Sequence, residues 1–323
     1  MRDLFGRELN YLRLSITDKC NLRCRYCMPS SNIKEMKHGD VLSFEEIERL
    51  CRIFADLGID KIRLTGGEPL IRKDVVHLIE RLKAIKGIEN VCLTTNGCFL
   101  EENADRLCNA RIDGINVSLD TLKRDIFRTL TGKDELSKVL KGIEKAYDLG
   151  IKVKLNCVPI AGINDNELAD LAGMAKDKDI DVRFIELMPI GMGKEHKGID
   201  RETIIKELEG CYGRLIGTDP DYKGSPAAYY KALGFRGRIG FISPMSHRFC
   251  SECNRLRLTS GGYLKYCLQY PDGCDLKSPL RDHKSDGYIR DLIEGSVINK
   301  PKEHRFNEDL VNTECRRMYE IGG

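Results

Sequence analysis

The chain has 323 residues, of which 41% are hydrophobic and 32% charged, with a formal net charge of +3. That suits one large or two ordinary globular domains, and it excludes disordered and collagen-like classes. No apolar run approaches the roughly 18 residues of a membrane helix, and the N-terminus lacks a signal core, so a cytoplasmic protein is expected, with no nucleic-acid or membrane partner.

Up to about residue 210, β-rich runs alternate with helical patterns. The strands are expected at 11–16, 61–65, 90–95, 114–119, 151–158 and 181–187. The helices are expected at 43–57, 74–85, 101–109, 122–148 with a break near 131–133, and 164–177. Ser43 followed by Glu46 reads as a capping box, and Gly58 as the stop of that helix. Repeated β–α alternation implies parallel strands with right-handed crossovers, and no dinucleotide-type glycine fingerprint accompanies it. The expected fold class is therefore α/β, an incomplete (β/α)6 TIM-like barrel. Beyond residue 210, short β-like runs at 237–242 and 256–259 and a helix at 281–295 predict an antiparallel β extension. The chain thus divides into 1–210, the partial barrel, and 211–323, a region that closes it.

Alternation along the strands sorts the side chains into two sets. Leu12 and Leu14 oppose Arg13 and Ser15; Ile62 and Leu64 oppose Lys61, Arg63 and Thr65. Ile115 and Val117 oppose Asn116 and Ser118; Val153 and Leu155 oppose Lys152, Lys154 and Asn156; the sixth strand contributes Arg183. The surrounding helices need the apolar set, so the polar set faces the lumen. Clustered cations in an enclosed space are costly without an anion among them, which predicts a highly charged ligand such as a polyphosphate. The bland reading is an open antiparallel sheet with solvated polar faces.

The 14 cysteines of a cytosolic chain argue for metal ligation rather than disulfides. Cys20, Cys24 and Cys27 follow the first strand with the spacing C-x3-C-x2-C; Cys250, Cys253 and, 13 residues later, Cys267 form a second triplet. Three thiolates leave one iron of a cube open for another ligand, since such clusters usually take four Cys. A zinc site completed by Cys274 is the competing reading of the second triplet. The remaining cysteines are expected to be buried small hydrophobes. Small or polar groups also follow the other strands: Gly66-Gly67-Glu68-Pro69, Thr94-Thr95-Asn96-Gly97, Ser118 with Asp120, and Glu186-Leu187-Met188.

The first triplet, with Tyr26 before its last cysteine, resembles the radical S-adenosylmethionine superfamily. The Cys250–Arg257 segment, Cys267 and the terminal Gly322-Gly323 resemble, within it, the family of lyases that cyclise GTP at the start of molybdenum-cofactor biosynthesis. The resemblance implies two 4Fe–4S clusters, one on each triplet, and S-adenosylmethionine as cofactors. It implies that Tyr26, Gly67, Ser118 and Met188 contact S-adenosylmethionine. It implies that Arg13, Lys61, Arg63, Thr94, Lys154, Arg183, Arg255, Leu256 and Arg257 bind GTP, with the guanine ring on the open iron of the second cluster. The implied reaction starts with a 5′-deoxyadenosyl radical that abstracts hydrogen from C3′ of the ribose, after which C3′ attacks guanine C8. A reductant such as flavodoxin or ferredoxin, and a downstream cyclic pyranopterin monophosphate synthase, are the implied partners. Oligomeric state, with a homodimer as one option, is not given by the sequence. The alternatives are another radical enzyme with an auxiliary cluster, for instance a peptide modifier, and a non-catalytic metal-binding or electron-transfer protein.

Overall fold

The computed structural model describes residues 1–28, 35–220, 224–306, 308, 314 and 316–322. In chain order the first part runs β1 (Tyr11–Ser15), α1 (Phe44–Asp56), β2 (Lys61–Thr65), α2 (Val75–Lys83), β3 (Asn90–Thr95), α3 (Leu100–Asn109), β4 (Gly114–Ser118), α4 (Arg124–Thr131), α5 (Leu136–Asp148), β5 (Val153–Cys157), α6 (Leu168–Gly173) and β6 (Asp181–Ile185). The second part runs α7 (Arg201–Tyr212), β7 (Ile216–Thr218), β8 (Ala228–Lys231), β9 (Ile239–Ile242), β10 (Arg255–Leu258), β11 (Tyr263–Lys265), β12 (Gly273–Asp275), α8 (Lys277–Arg281), α9 (Asp286–Val297) and α10 (Met318–Ile321).

The six predicted strands lie side by side in sequence order and pair in parallel. The strands that follow β6 do not sit apart from them. β10 joins β1 and β9 joins β6, both in parallel, and the predicted antiparallel extension forms the outer pairs β10–β11–β12 and β9–β8–β7. One open 12-stranded sheet results, with β12 and β7 at its ends, so the barrel is incomplete as expected.

The strands' apolar sets, among them Leu12, Leu14, Ile62, Leu64, Ile115, Val117, Leu155 and Val182, are buried against the helices in a single core. The capping box closes reciprocally: Glu46 N donates to Ser43 Oγ at 3.1 Å, and Ser43 N to the Glu46 carboxylate at 2.7 Å. The break near 131–133 is Gly132, at φ 74°, ending α4.

Three sequence expectations shift. The helix expected over 164–177 shortens to α6, because the Glu167 carboxylate turns back to accept from Thr121 Oγ1 (2.5 Å) and Leu122 N (2.8 Å), while Gly237 N and Arg236 N take the carbonyls of Ala175 and Lys176. Lys152 precedes β5 and is exposed, so it drops out of the inward set. The helix α7 was not foreseen, although Asp200 caps it by accepting from Thr203 N at 2.8 Å and Gly213 ends it at φ 74°. Only Ile204 and Leu208 of that helix are buried, too few apolar positions to make a clear periodic stripe.

Candidate active site

Strand register decides which lumen side chains become neighbours. Arg257, Arg13 and Arg63 are aligned across β10, β1 and β2, and one row below them lie Arg255, Tyr11 and Lys61. Directly paired like charges repel, so the first row is unfavourable in the protein alone, whereas in the second Tyr11 separates Arg255 from Lys61. The strain is visible in the Arg257 guanidinium, which burial, then Arg13 and Arg255, depress to about 9. Tyr11 partly relieves it: burial raises its phenol, but Arg63, Arg13 and Lys61 outweigh that and bring it down to about 8, and Arg63 Nε donates to its hydroxyl at 2.6 Å. On the opposite side of the lumen, carboxylate and amide oxygens face the cations. Lys154 Nζ lies 2.7 Å from the Asp181 carboxylate, which Arg238 also contacts at 2.7 Å, and Arg183 donates to Asn156 Oδ1 at 2.9 and 2.6 Å.

These rows line a cavity of about 420 Å³, within the usual range for ligand pockets. Both cysteine triplets open into it, together with Tyr26, Gly67, Thr94, Ser118, Met188, Lys154 and Arg183. Of the predicted site residues, Leu256 alone does not line it. Alternation on β10 sets its side chain opposite to Arg255 and Arg257, fully buried in the apolar layer.

The first triplet is held by backbone. Cys27 N and Met28 N donate to Cys24 O, while Arg23 N and Arg25 N close on the last carbonyls of α4, Thr131 O and Leu130 O. Gly67 N and Glu68 N donate to Thr17 O and Lys19 O, and a Cβ on Gly67 would come within 2.2 Å of Lys19 O, so no other residue allows that approach. The fully buried Glu68 accepts from Leu70 N, Thr95 Oγ1 and Asn96 N, though burial lifts its carboxyl to about 7. Glu68→Gln therefore turns an amide toward one of three donors, and denaturant unfolding of the apoprotein should show a loss of about 1–3 kcal/mol. An unchanged midpoint would deny Glu68 this bracing role. Tyr26 Oη donates to Asp120 at 2.6 Å, and burial raises the Asp120 carboxyl to about 6.

The thiols suit a cluster. All six are free; Leu22 N and Asn96 Nδ2 donate to Cys20 Sγ at 3.4 and 3.7 Å. Burial pushes the Cys27 thiol up to about 12 and also raises that of Cys24 well above the ordinary thiol value, a protonation that metal ligation would reverse. Cys253 differs: burial raises it, but Lys300 and Arg255 outweigh this and lower it to about 7. Among the described residues no three His, Cys, Asp or Glu side chains converge on a point as ligands of one ion would. A cube binds each thiolate to a different iron and needs no such convergence. Cys274 does not line the cavity into which the second triplet opens; its Sγ lies 3.4 Å from Ser296 Oγ, and it joins no such convergent group among the described residues, so a zinc site completed by it finds no support. Two buried hydroxyls facing the cavity, Thr65 Oγ1 and Thr94 Oγ1, have no protein partner among the described residues, as expected of groups that await a ligand. The tail arrives at the same place: Arg257 Nη1 donates to Gly322 O at 3.0 Å, and Gly322 sits where a Cβ would strike Ser15 and Thr65. Gly323, and residues 29–34 of the 28–42 connection, lie outside the described residues.

The family profile described as Radical SAM superfamily matches residues 14–175, and that described as Molybdenum Cofactor Synthesis C matches residues 180–306. A GTP 3′,8-cyclase of Clostridium perfringens (strain 13) is 42% identical over 323 residues, covering 100% of both chains. The chain belongs to the GTP 3′,8-cyclase family. Another member of that family, from Moorella thermoacetica, is 43% identical over 327 residues, again covering 100% of both chains. Among solved structures, Streptococcus suis SuiB bound to S-adenosylmethionine shares the fold with a TM-score of 0.60 at 17% identity, covering 88% of this chain and 68% of that one. Membership in the cyclase family brings S-adenosylmethionine and 4Fe–4S clusters as cofactors. No helix among the described residues is long and apolar enough to cross a membrane.

The strand-end motifs that sequence reading singled out thus meet in one space. It missed the residues that brace them from afar. Asn96 was visible only as a polar residue after β3, and nothing marked its contact with Cys20. Arg7, 7% exposed, gave no signal at all in a segment without a motif.

Proposed function

We propose that this chain converts GTP to (8S)-3′,8-cyclo-7,8-dihydroguanosine 5′-triphosphate, the first step of molybdenum-cofactor biosynthesis. One observation carries the reading: five cations on β10, β1 and β2 (Arg13, Lys61, Arg63, Arg255 and Arg257) face the cavity into which both cysteine triplets open. Cys20, Cys24 and Cys27 would hold the first cluster, and Cys250, Cys253 and Cys267 the second. When bound, the first cluster and S-adenosylmethionine supply a 5′-deoxyadenosyl radical able to take a hydrogen atom from the ribose C3′.

The rest is positioning. Tyr26, Gly67, Ser118 and Met188, at the ends of different strands, would hold S-adenosylmethionine. Arg13, Lys61, Arg63, Arg255 and Arg257 would hold the triphosphate, with Thr94, Lys154 and Arg183 completing the GTP site. Binding a polyanion there would offset the mutual repulsion of these cations, so the charge cost of gathering them becomes affinity for substrate. Orientation matters most here, since hydrogen abstraction needs near contact between the radical carbon and C3′.

The division of the chain at residue 210, a cytoplasmic location, an external one-electron reductant of the flavodoxin or ferredoxin type, and a homodimer belong to the same proposal. So does handing the product to a cyclic pyranopterin monophosphate synthase. Chromatography of an anaerobic mixture of the reconstituted protein, GTP, S-adenosylmethionine and dithionite tests it. Equimolar 5′-deoxyadenosine and a cyclised GTP isomer are expected; 5′-deoxyadenosine that forms without any change in GTP would overturn the substrate assignment.

A further inference from the structure

Outside the cavity, one buried cation faces the second triplet. Lys300 is 3% exposed and follows α9, where its own N–H bonds Val297 O at 3.0 Å and fixes the start of the side chain. Its Nζ donates to Cys253 Sγ at 3.7 Å, to Arg255 O at 2.9 Å and to Tyr266 O at 2.6 Å. An ammonium has three N–H groups, and these three acceptors use all of them. The acceptors are a ligand sulfur and two carbonyls that lie beside the ligands, Arg255 two residues after Cys253 and Tyr266 directly before Cys267. One side chain thereby ties together the two chain segments that carry the triplet.

The next residues are anchored in turn. Arg7 Nη1 donates to Cys250 O at 2.8 Å and to Lys302 O at 2.9 Å, and its Nη2 to Pro301 O at 2.7 Å, while Asp3 holds its Nε at 2.6 Å. Residues 300–302 therefore form a strap. Its side chain grips Cys253 and its backbone is bolted, through Arg7, to Cys250.

Resting on the assignment of a cluster to Cys250, Cys253 and Cys267, we infer that Lys300 is a positioning residue that donates a hydrogen bond to the Cys253 ligand and raises the reduction potential of the second cluster. Reduction adds one negative charge to a cluster. A buried ammonium beside a ligand sulfur favours the reduced form, and hydrogen bonds to the sulfurs act in the same direction. No sequence motif marks this residue, and among the described residues no cation donates to a cysteine of the first triplet: there Cys20 receives neutral donors, from Leu22 N and Asn96 Nδ2. The two clusters are thus poised differently by their surroundings.

Potentiometric EPR of the anaerobically reconstituted protein tests this with Lys300→Met, which removes charge and donor at similar length, and Lys300→Gln, which removes the charge and keeps a donor. The midpoint of the second cluster should move to more negative potential in both while the first stays put. Selective loss of about half the iron would equally support the positioning role, since each cube holds four irons. Full iron with an unshifted second midpoint in both variants would overturn the inference. A second measurement does not depend on variants folding. Pulsed EPR of the wild-type second cluster in H2O and D2O should show a strongly coupled exchangeable proton on the Cys253 side, and its absence would also overturn the inference. A wild-type protein that holds iron for one cluster only would sink the cluster assignment itself, and this inference with it.

Discussion

Replacing Cys24 by Ser should abolish reductive cleavage of S-adenosylmethionine in the anaerobically reconstituted protein, while circular dichroism and the second cluster's EPR signal should stay as in the wild type. The separation follows from how the loop is built. Cys24 contributes its carbonyl to the turn, accepting from Cys27 N and Met28 N, and those bonds survive in the variant. Arg23 and Arg25 still close on α4, and Gly67 still packs against Lys19. What disappears is one thiolate, which a hydroxyl does not replace as an iron ligand. The loss should exceed the roughly 10–100-fold typical of changes to groups behind the ligands. The readout is 5′-deoxyadenosine per protein with excess dithionite, in the absence of GTP. Cleavage at the wild-type rate would remove Cys20, Cys24 and Cys27 from the radical-forming site.

The lumen chemistry was readable because β-strand alternation is local and strict. Once Leu12, Leu14, Ile62 and Leu64 are given to the helices, Arg13, Arg63 and Lys61 have only one other direction. The same rule, applied to β10, would have excluded the side chain of Leu256 and kept Arg255 and Arg257. Lys152 escaped the rule because alternation says nothing of where a strand begins. What alternation cannot supply is register between distant strands. That Arg257 stands beside Arg13 follows from β10 pairing with β1 across more than two hundred residues, and no short-range pattern encodes it. Arg7 and Lys300 were invisible for a similar reason, since a lone cation in a polar segment reads as a surface residue until the tertiary fold surrounds it. Among the scattered cysteines, Cys51, Cys92, Cys98 and Cys157 are buried as composition suggested, but Cys211 near the end of α7 is exposed. That helix buries little of its surface, and it was the helix that apolar periodicity failed to announce.

Arg257→Ala should weaken GTP binding about 10–100-fold, the equivalent of one charge-assisted hydrogen bond to phosphate, and kcat/KM should fall at least as far, with iron content unchanged. Its stability should not fall with its activity. The folded-state Arg257 guanidinium is depressed to about 9, so the unfolded chain holds that proton more tightly. The group therefore opposes folding at every pH below about 9, and this opposition fades only as pH rises from there toward the ordinary guanidinium value. Removing it at neutral pH relieves Arg13 and Arg255 of a like charge, against the loss of one bond to Gly322 O. The ligand-free Tm of the variant should equal or exceed that of the wild type, and added GTP should raise it by less. Lys154→Met provides the contrast from the same lumen. Lys154 is paired with Asp181 and bonded to Tyr229 Oη at 3.0 Å, so its removal takes one cation from a buried carboxylate that Arg238 contacts from the other side at 2.7 Å, and should lower the Tm. Two cations of one cavity should thus move stability in opposite directions, because Lys154 is held by a carboxylate of the protein while Arg257 faces like charges that, in the proposed reading, the substrate's phosphates would offset. Calorimetric titration with GTP and thermal scans of both ligand-free variants measure the difference. Wild-type GTP affinity in Arg257→Ala would remove the guanidinium rows from the triphosphate site, and a marked fall in its Tm would show Arg257 to be a structural residue instead.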